Sequence, residues 1–221
     1  MTKFFISIAF FLFFIPYLSF SQPSSTYPSN FVGAYLGPNL SGFFGDYVAN
    51  VEGETGKIRV RSQYGFFAKI NINRDFSVFT GLHIVLNGAL TKNDDAKSAT
   101  VTISYVAKTN LTTLSVPGMF TLTPRSDYGI MLGPQFDLLL SAKEPWNRSD
   151  NIKPPDYEEN VMDKFNPLGL SVALGAYYLF LNGATVHLRY TQGVTSISKA
   201  EFGNTLPYSI QLYMGLNIYK K

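Results

Sequence analysis

The segment Tyr208–Tyr219, which reads YSIQLYMGLNIY, decides the fold class of this 221-residue chain. Its even-numbered positions carry large, mainly apolar side chains, whereas its odd-numbered positions are polar, small or aromatic. Successive side chains of a β-strand point to opposite faces, so the segment predicts a strand with one apolar and one mixed face.

The same two-residue period recurs in seven earlier segments: residues 32–37, 64–72, 76–87, 114–122, 128–141, 168–180 and 185–193. Eight strands are the smallest usual number for an outer-membrane barrel. We therefore predict an all-β fold, an eight-stranded antiparallel up-and-down transmembrane β-barrel. Even-numbered side chains should face lipid, and odd-numbered ones should fill the lumen with the rings of Tyr35, Phe67, Phe79, Tyr177 and Tyr213.

The connections between these segments alternate in length. Long links at residues 40–62, 89–110, 143–164 and 196–206 alternate with short ones at 73–75, 123–126 and 181–183. Outer-membrane barrels have short periplasmic turns and long external loops. The alternation and the even strand count therefore predict that both termini are periplasmic.

A soluble β-sandwich or barrel is the alternative, since it also alternates. Its outer face should be charged, but here the second face is rich in Gly, Ser, Thr and Ala, which suits a narrow interior. Outward-phase aromatics also gather at the short-turn ends, as in a periplasmic girdle: Phe76, Phe120, Tyr128, Tyr178 and Phe180. These features favour the membrane barrel.

Two further segments bear on the strand pattern. Pro38, Pro117, Pro134 and Pro167 lie within proposed strands, where we expect bulges or strand ends because proline cannot donate a ladder hydrogen bond. Residues 98–108 also alternate, which indicates a hairpin extended above the membrane rather than a ninth spanning strand.

The composition restricts the classes of function. Hydrophobic residues make up 46% of the chain and charged residues only 15%, with a formal net charge of +3. This small charge does not favour a nucleic-acid partner. The chain has no cysteine, which excludes disulfides, thiolate chemistry and a lipid-anchored N-terminal Cys.

The N-terminus has the pattern of an export signal. Lys3 precedes an apolar run that is too short to span a membrane, and small residues occupy Ser19 and Ser21. We expect residues 1–21 to be a cleavable signal peptide, 22–30 a short periplasmic segment, and 31–221 the barrel domain in the cell outer membrane. An uncleaved N-terminal anchor is the alternative.

Four short motifs occur in order along the chain: GAYLGPNLS at 33–41, LSVP at 114–117, GIMLGP at 129–134 and LRYTQG at 188–193. Together they resemble the PorT-like small outer-membrane β-barrel proteins of Bacteroidota, although Val116 stands where that group has Ile. The resemblance implies an eight-stranded outer-membrane barrel. The named member is associated with the type IX secretion system, and a shared fold does not by itself transfer that role.

The candidate functional residues lie in the predicted inward phase. They are Lys69, His83, Asp137, His187 and Arg189, and we interpret them as a lumen polar network. Buried charges need partners, and an eight-stranded interior is just wide enough for side chains to fill. A proton-linked channel or an embedded catalytic group are the alternatives.

No residue pattern predicts catalysis, a cofactor or a metal. A lipid-deacylating barrel needs its Ser and His on the outer face near the external leaflet, but both histidines fall in the inward phase. The acidic stretch 143–164 could bind calcium or a partner, although charged loops are usually just solvated.

The sequence therefore favours a non-enzymatic outer-membrane protein with a structural or interaction role. Its expected partners are outer-membrane lipids and, through the external loops, envelope or secretion-system proteins. The alternatives are an outer-membrane lipid-modifying enzyme and a narrow channel for small solutes.

Overall fold

The computed structural model describes residues 30–45, 57–98, 101–125, 127–148, 157–181 and 183–220. The predicted signal peptide at 1–21 and residues 22–29 of the predicted periplasmic segment lie outside these ranges. The described residues form nine strands: β1 Phe31–Gly45, β2 Lys57–Asn71, β3 Phe76–Ser98, β4 Val101–Arg125, β5 Tyr128–Arg148, β6 Tyr157–Asn160, β7 Leu168–Leu179, β8 Ala184–Gly193 and β9 Thr205–Lys220.

Eight of these strands close into an antiparallel barrel, as the sequence predicted. Each pairs with its neighbour along the chain, β5 pairs with β7, and β1 pairs with β9 to complete the circle. The ninth, β6, pairs only with β5 and adds to the sheet beyond the barrel wall. Following the orientation predicted from the sequence, we call the end with the short turns and the terminal strand ends the periplasmic end, and the opposite end the external end.

The strands differ greatly in length, which corrects the predicted long links. Residues 89–110 are mostly strand, because β3 continues to Ser98 and β4 begins at Val101. β1 extends to Gly45, β2 begins at Lys57 and β5 reaches Arg148, so parts of the other predicted loops are strand as well. Alternation at 98–108 therefore reflects the extended hairpin that the sequence indicated.

The predicted inward and outward phases are confirmed. On the outside, Leu36 is 71% exposed, Leu188 54% and Leu212 47%. On the inside, all five predicted aromatic side chains are buried: Tyr35, Phe67, Phe79, Tyr177 and Tyr213. An apolar outer face suits the hydrocarbon of a bilayer. Large side chains on the inner face fill a narrow lumen.

Small residues make room for the inward rings. Gly65 lies opposite Tyr35, Gly33 and Gly81 flank Phe67, and Gly129 lies opposite Tyr177. A Cβ on Gly33 would come within 2.5 Å of the Phe67 ring. Large side chains on one strand therefore pack over glycines of the next, which explains the glycine-rich second face of the sequence.

Three of the prolines do not produce the expected bulges. Register is continuous past Pro38, Pro117 and Pro134, and pairing is interrupted on only one side of each, for example between the Leu36–Met214 and Asn39–Gln211 pairs. The missing N–H of each proline therefore leaves a short gap in the pairing on one side of the strand, and the register does not change. The fourth, at 167, precedes the start of β7, as expected of a strand end.

One bulge changes the phase of β5. Thr113 pairs with Leu139 but Thr112 pairs with Ser141, so Leu140 is an extra residue. Beyond it the even-numbered side chains turn inward, and Ala142 and Glu144 are buried. They join the external end of the lumen, where a second apolar cluster lies: Phe43, Ala89, Leu111, Leu139, Ala142, Val161 and Phe165.

Candidate functional site

A layer of stacked rings fills the periplasmic half of the lumen. The ring centroids of His187 and Tyr213 lie 4.6 Å apart at an interplanar angle of 12°, and those of Tyr35 and Tyr213 lie 4.3 Å apart. The centroid of Phe79 lies 5.4 Å from that of His187 and 5.6 Å from that of Phe67. The rings come from five different strands, so together they bridge the barrel from wall to wall.

Lys69 lies beside two further aromatic rings of the lumen rather than in a network of charges. Its side chain is buried, and its Nζ lies 5.4 Å from the ring of Phe31 and 5.3 Å from that of Tyr177. Among the described residues, Nζ has no hydrogen-bond partner. The contacts that the structure describes for the cation are therefore with the faces of aromatic rings.

His83 and Arg189 form the central polar contact of the lumen. Nη2 of Arg189 lies 3.0 Å from Nδ1 of His83, and Nε and Nη2 of Arg189 both donate to Oε1 of Gln211 at 2.8 and 2.6 Å. The guanidinium also lies 5.3 Å from the Tyr213 ring. Arg189 is fully buried, yet no carboxylate contacts it among the described residues.

Asp137 lies in a separate cluster toward the external end. Its carboxylate accepts hydrogen bonds from Ser115, from Nε2 of Gln135 at 2.8 Å, and from Ser171 at 2.7 Å. It reaches none of the other four predicted residues. The strands hold it there because Ser115 and Asp137 pair across β4 and β5, and Gln135 pairs with Ser171 across β5 and β7.

The five predicted lumen residues thus occupy three places. His83 and Arg189 meet, and Lys69 and Asp137 each lie apart. His187 stacks with the rings, and neither of its nitrogens has a hydrogen-bond partner among the described residues. Amide and hydroxyl side chains make most of the polar contacts. Gln211, Gln135, Ser115 and Ser171 were not singled out, although their inward phase marks them in the sequence.

A further polar contact was missed because it lies beyond the β5 bulge. Glu144, predicted to belong to a solvated loop, is buried and accepts a hydrogen bond from Thr109 Oγ1 at 3.1 Å. Lys164 Nζ lies 3.8 Å from its other oxygen. The two residues tie the short helical turn Met162–Lys164 to the barrel wall.

Asp137 accepts hydrogen bonds from two serines, whereas His83 contacts Arg189 and His187 stacks on aromatic rings. The described residues therefore hold no linked serine, histidine and carboxylate. Within the described ranges, no three His, Asp or Glu side chains gather closely enough to hold a metal ion.

In the part of the chain that the structure describes, no helix has the length and hydropathy needed to cross a bilayer.

Several solved structures resemble this one at low identity. Ail, the attachment invasion locus protein of Yersinia pestis, is 13% identical, with 86% of this chain and 99% of that one covered and a TM-score of 0.42. Neisserial surface protein A is 10% identical, with coverages of 85% and 97% and a TM-score of 0.49. The outer membrane enzyme PagL is 12% identical, with coverages of 81% and 99% and a TM-score of 0.29.

Comparison with curated proteins gives no significant match. A family model described as the outer membrane protein beta-barrel domain matches residues 20–199, which is most of the chain. The match agrees with the closed eight-stranded wall and its apolar outer face. The chain belongs to the outer membrane protein beta-barrel domain family and is a small barrel of the outer membrane.

Proposed function

We propose that this protein is a non-enzymatic outer-membrane barrel that acts through its external end, by contact with other envelope proteins. The observation that carries the proposal is the one-sided sheet above the barrel. β4 has 25 residues and β8 has 10, which at the strand rise corresponds to about 85 Å against about 34 Å of strand. The longest strands, β3, β4 and β5, are neighbours on one side of the barrel.

The edges of this sheet favour protein contact. Among the described residues, β2 leaves β3 at the Lys57–Leu90 pair, and the remainder of β3 pairs with β4. On the other side, β5 pairs with β6 over the four described residues Tyr157–Asn160. Strand edges with unpaired backbone groups bind extended segments of other chains by adding a strand. A partner that adds a strand there needs no pocket in the barrel.

We also propose that the chain is a PorT-like barrel of Bacteroidota and that its signal peptide, residues 1–21, is cleaved on export. Its partners are outer-membrane lipids around the apolar belt and envelope or secretion-system proteins at the external end. The four sequence motifs support the PorT-like assignment, and the long external strands support contact with envelope proteins.

A shortened hairpin tests the proposal. Lys92 and Val106 are paired, so replacing residues 93–105 by Asn-Gly closes the hairpin with a two-residue turn below its tip. We expect the variant to fold, as judged by its heat-modifiable gel mobility, and to lose protein cross-links formed on intact cells. The control replaces Gly118, on the outer face, by Ala. Identical cross-links in both variants would contradict the proposal.

Two assays address the alternative functions. Incubation with lipopolysaccharide and phospholipid, followed by mass spectrometry of released acyl chains, tests for a lipid-modifying enzyme, and a released chain would overturn the non-enzymatic role. Planar-bilayer recording tests for a channel. Because rings from five strands meet across the lumen, we expect no steady open conductance.

A further inference from the structure

A row of three residues on the outer wall marks the external edge of the apolar belt. Gly88, Asn110 and Lys143 pair side by side across β3, β4 and β5. The first two alternate with inward-facing residues, and Lys143 takes the outward phase that follows the β5 bulge, so all three face outward. Toward the periplasmic end, the outer face of β3 and β4 carries large apolar side chains such as Leu86 and Leu114. The outer surface therefore changes from apolar to polar at this row.

The height of this row corresponds to the lipid head groups. The apolar outer face of β3 runs from Phe76, at the periplasmic end, to Leu86, two residues before Gly88. At the strand rise this is about 33 Å of strand, which at a tilt of about 40° gives about 25 Å of height. The apolar band of an outer-membrane barrel is about 25 Å tall. Gly88 and its two neighbours in the row therefore lie just outside the hydrocarbon, on the external side.

Two arginines of β2 reach this row from the side. In the stretch 58–63, β2 has one extra residue relative to β3 and stays paired with β1, so it separates from β3 there. Nη1 of Arg59 and Nη1 of Arg61 both donate to Oδ1 of Asn110, the latter at 2.8 Å. Nη1 of Arg59 also donates to the carbonyl oxygen of Thr109 at 3.3 Å. Both guanidiniums therefore cross β3 to reach β4.

Gly88 provides the space for this crossing. It is buried although it faces outward, and a Cβ there would lie 3.3 Å from Nη1 of Arg59 and 3.5 Å from its Cδ. The Arg59 side chain therefore covers Gly88 on the outside of the wall. This places its guanidinium at the height of the row, on the surface that faces the lipid head groups.

The positive charges at this place are not balanced by the described residues, none of which contributes a carboxylate to either guanidinium. The acceptors of Arg59 and Arg61 are a neutral amide and a backbone carbonyl, so most of their five N–H groups each stay unused. Nε of Arg61 is buried, with no hydrogen-bond partner among the described residues. Two cations that share one oxygen repel each other, and an anion beside them offsets this repulsion. Lys143, opposite Asn110, adds a third positive charge to the same face.

We infer that Arg59, Arg61 and Lys143 bind the phosphate group of a lipid in the external leaflet. The planar fork of a guanidinium matches the oxygens of a phosphate, and the two arginines present such forks at head-group height. Val60, between them, is 62% exposed and offers an apolar contact to an acyl chain of the same lipid. The inference deepens one part of the proposed function, contact with outer-membrane lipids, and does not depend on contact with envelope proteins.

The test measures lipid binding to the full mature chain, folded in micelles of an uncharged detergent, by native mass spectrometry. The probes are lipid A, which is the phosphorylated glycolipid of lipopolysaccharide, and the same lipid after enzymatic removal of its phosphates. Glucose 1-phosphate supplies a phosphate ester without acyl chains. EDTA prevents divalent ions from bridging phosphates. We expect lipid A to bind about tenfold more tightly than its dephosphorylated form, because charge-assisted hydrogen bonds are lost with the phosphate.

The variants separate this site from general attraction of anionic lipids. The double variant Arg59→Gln with Arg61→Gln removes both guanidiniums, so we expect it to bind the two lipids equally. Arg74→Gln, in the exposed turn between β2 and β3 at the periplasmic end, is the matched control and should keep the preference. If the double variant fails to fold, as judged by heat-modifiable gel mobility, Lys143→Gln takes its place. Lys143 is exposed, and we expect its loss to weaken lipid A binding about threefold and to leave the dephosphorylated lipid unaffected.

Three outcomes overturn the inference. These are equal affinity of the wild-type barrel for the two lipids, a preference for lipid A that is unchanged in the folded variant, and binding of glucose 1-phosphate as tight as that of lipid A. The last would assign the site to free phosphate esters instead of a lipid. Protein cross-links on intact cells keep the two proposals apart. The double variant should retain them, because its substitutions lie outside the β3–β4 hairpin.

Discussion

Nη2 of Arg189 lies 3.0 Å from Nδ1 of His83, although 106 positions separate the two residues in the chain. A guanidinium can only donate, so Nδ1 must accept and the proton of His83 must lie on Nε2. Arg189 therefore sets the tautomer of the histidine. The same guanidinium donates twice to Gln211, which makes this amide oxygen its main acceptor.

We expect Gln211→Leu to cost about 3 kcal/mol of unfolding free energy, because it leaves a fully buried guanidinium without its main acceptor. Gln211→Glu supplies a carboxylate in the same place and should cost less than about 1 kcal/mol, since charge-assisted Arg–carboxylate bonds are stronger than the neutral ones they replace. Urea unfolding in lipid vesicles, followed by gel mobility, measures both. Equal losses in the two variants would show that a hydrogen-bond acceptor at this position does not stabilise Arg189.

Lys69→Met should stabilise the barrel by about 1 kcal/mol, because a buried ammonium without a hydrogen bond is replaced by an apolar chain of similar length. Contacts with two aromatic faces offset only part of the desolvation cost of the charge. The urea midpoint of unfolding measures the change. Lys69→Ala serves as the comparison, since it leaves a cavity and should destabilise. A loss of stability in Lys69→Met would mean that the ring contacts outweigh desolvation.

Gly37→Ala should cost about 1–3 kcal/mol through overpacking. A Cβ at this position would clash with the Leu212 carbonyl oxygen and lie 2.5 Å from Tyr213 Cα, and backbone atoms cannot move aside easily. Gly118→Ala is the control, because nothing lies within 4 Å of its Cβ. Thermal unfolding of the two variants side by side is the measurement, and a Gly37→Ala barrel as stable as the control would refute the close packing of β1 on β9.

Leu174→Arg should cost about 2–4 kcal/mol, because the side chain lies in the middle of β7 on the lipid-facing side and is 51% exposed. Leu168→Arg lies at the external end of the same strand and should cost only about 0–1 kcal/mol, since arginine is tolerated near the interface. Both are measured by urea unfolding in vesicles. The same loss at the two positions would place the bilayer midplane elsewhere on β7.

The sequence predicted the phase of the side chains well because a strand has a strict two-residue period. The predicted strand ended at residue 141, close to the point where the period is broken, and the residues beyond it were predicted to form a loop. Residues 136, 138 and 140 are apolar and continue the pattern, but the extra residue at Leu140 turns Ala142 and Glu144 inward. Nothing in the run of apolar residues marks this bulge, because it arises from the pairing between β4 and β5.

The candidate site was predicted only in part for a related reason. Inward phase identified His83, Arg189 and Asp137 as lumen residues, but it carries no information on height along the barrel axis. That height depends on the stagger between neighbouring strands, which places Asp137 beside Ser115 and Ser171 and leaves Arg189 beside Gln211.

By itself, the sequence determined the barrel class, the number of spanning strands and the side of the wall on which each residue of an unbroken strand lies. These follow from local alternation and from the lengths of the connections, which are properties of single segments. Only the tertiary structure decided which lumen side chains meet and which part of the wall rises beyond the rest. Those depend on hydrogen-bond register between strands that are distant in the chain, and register is a property of the closed barrel as a whole.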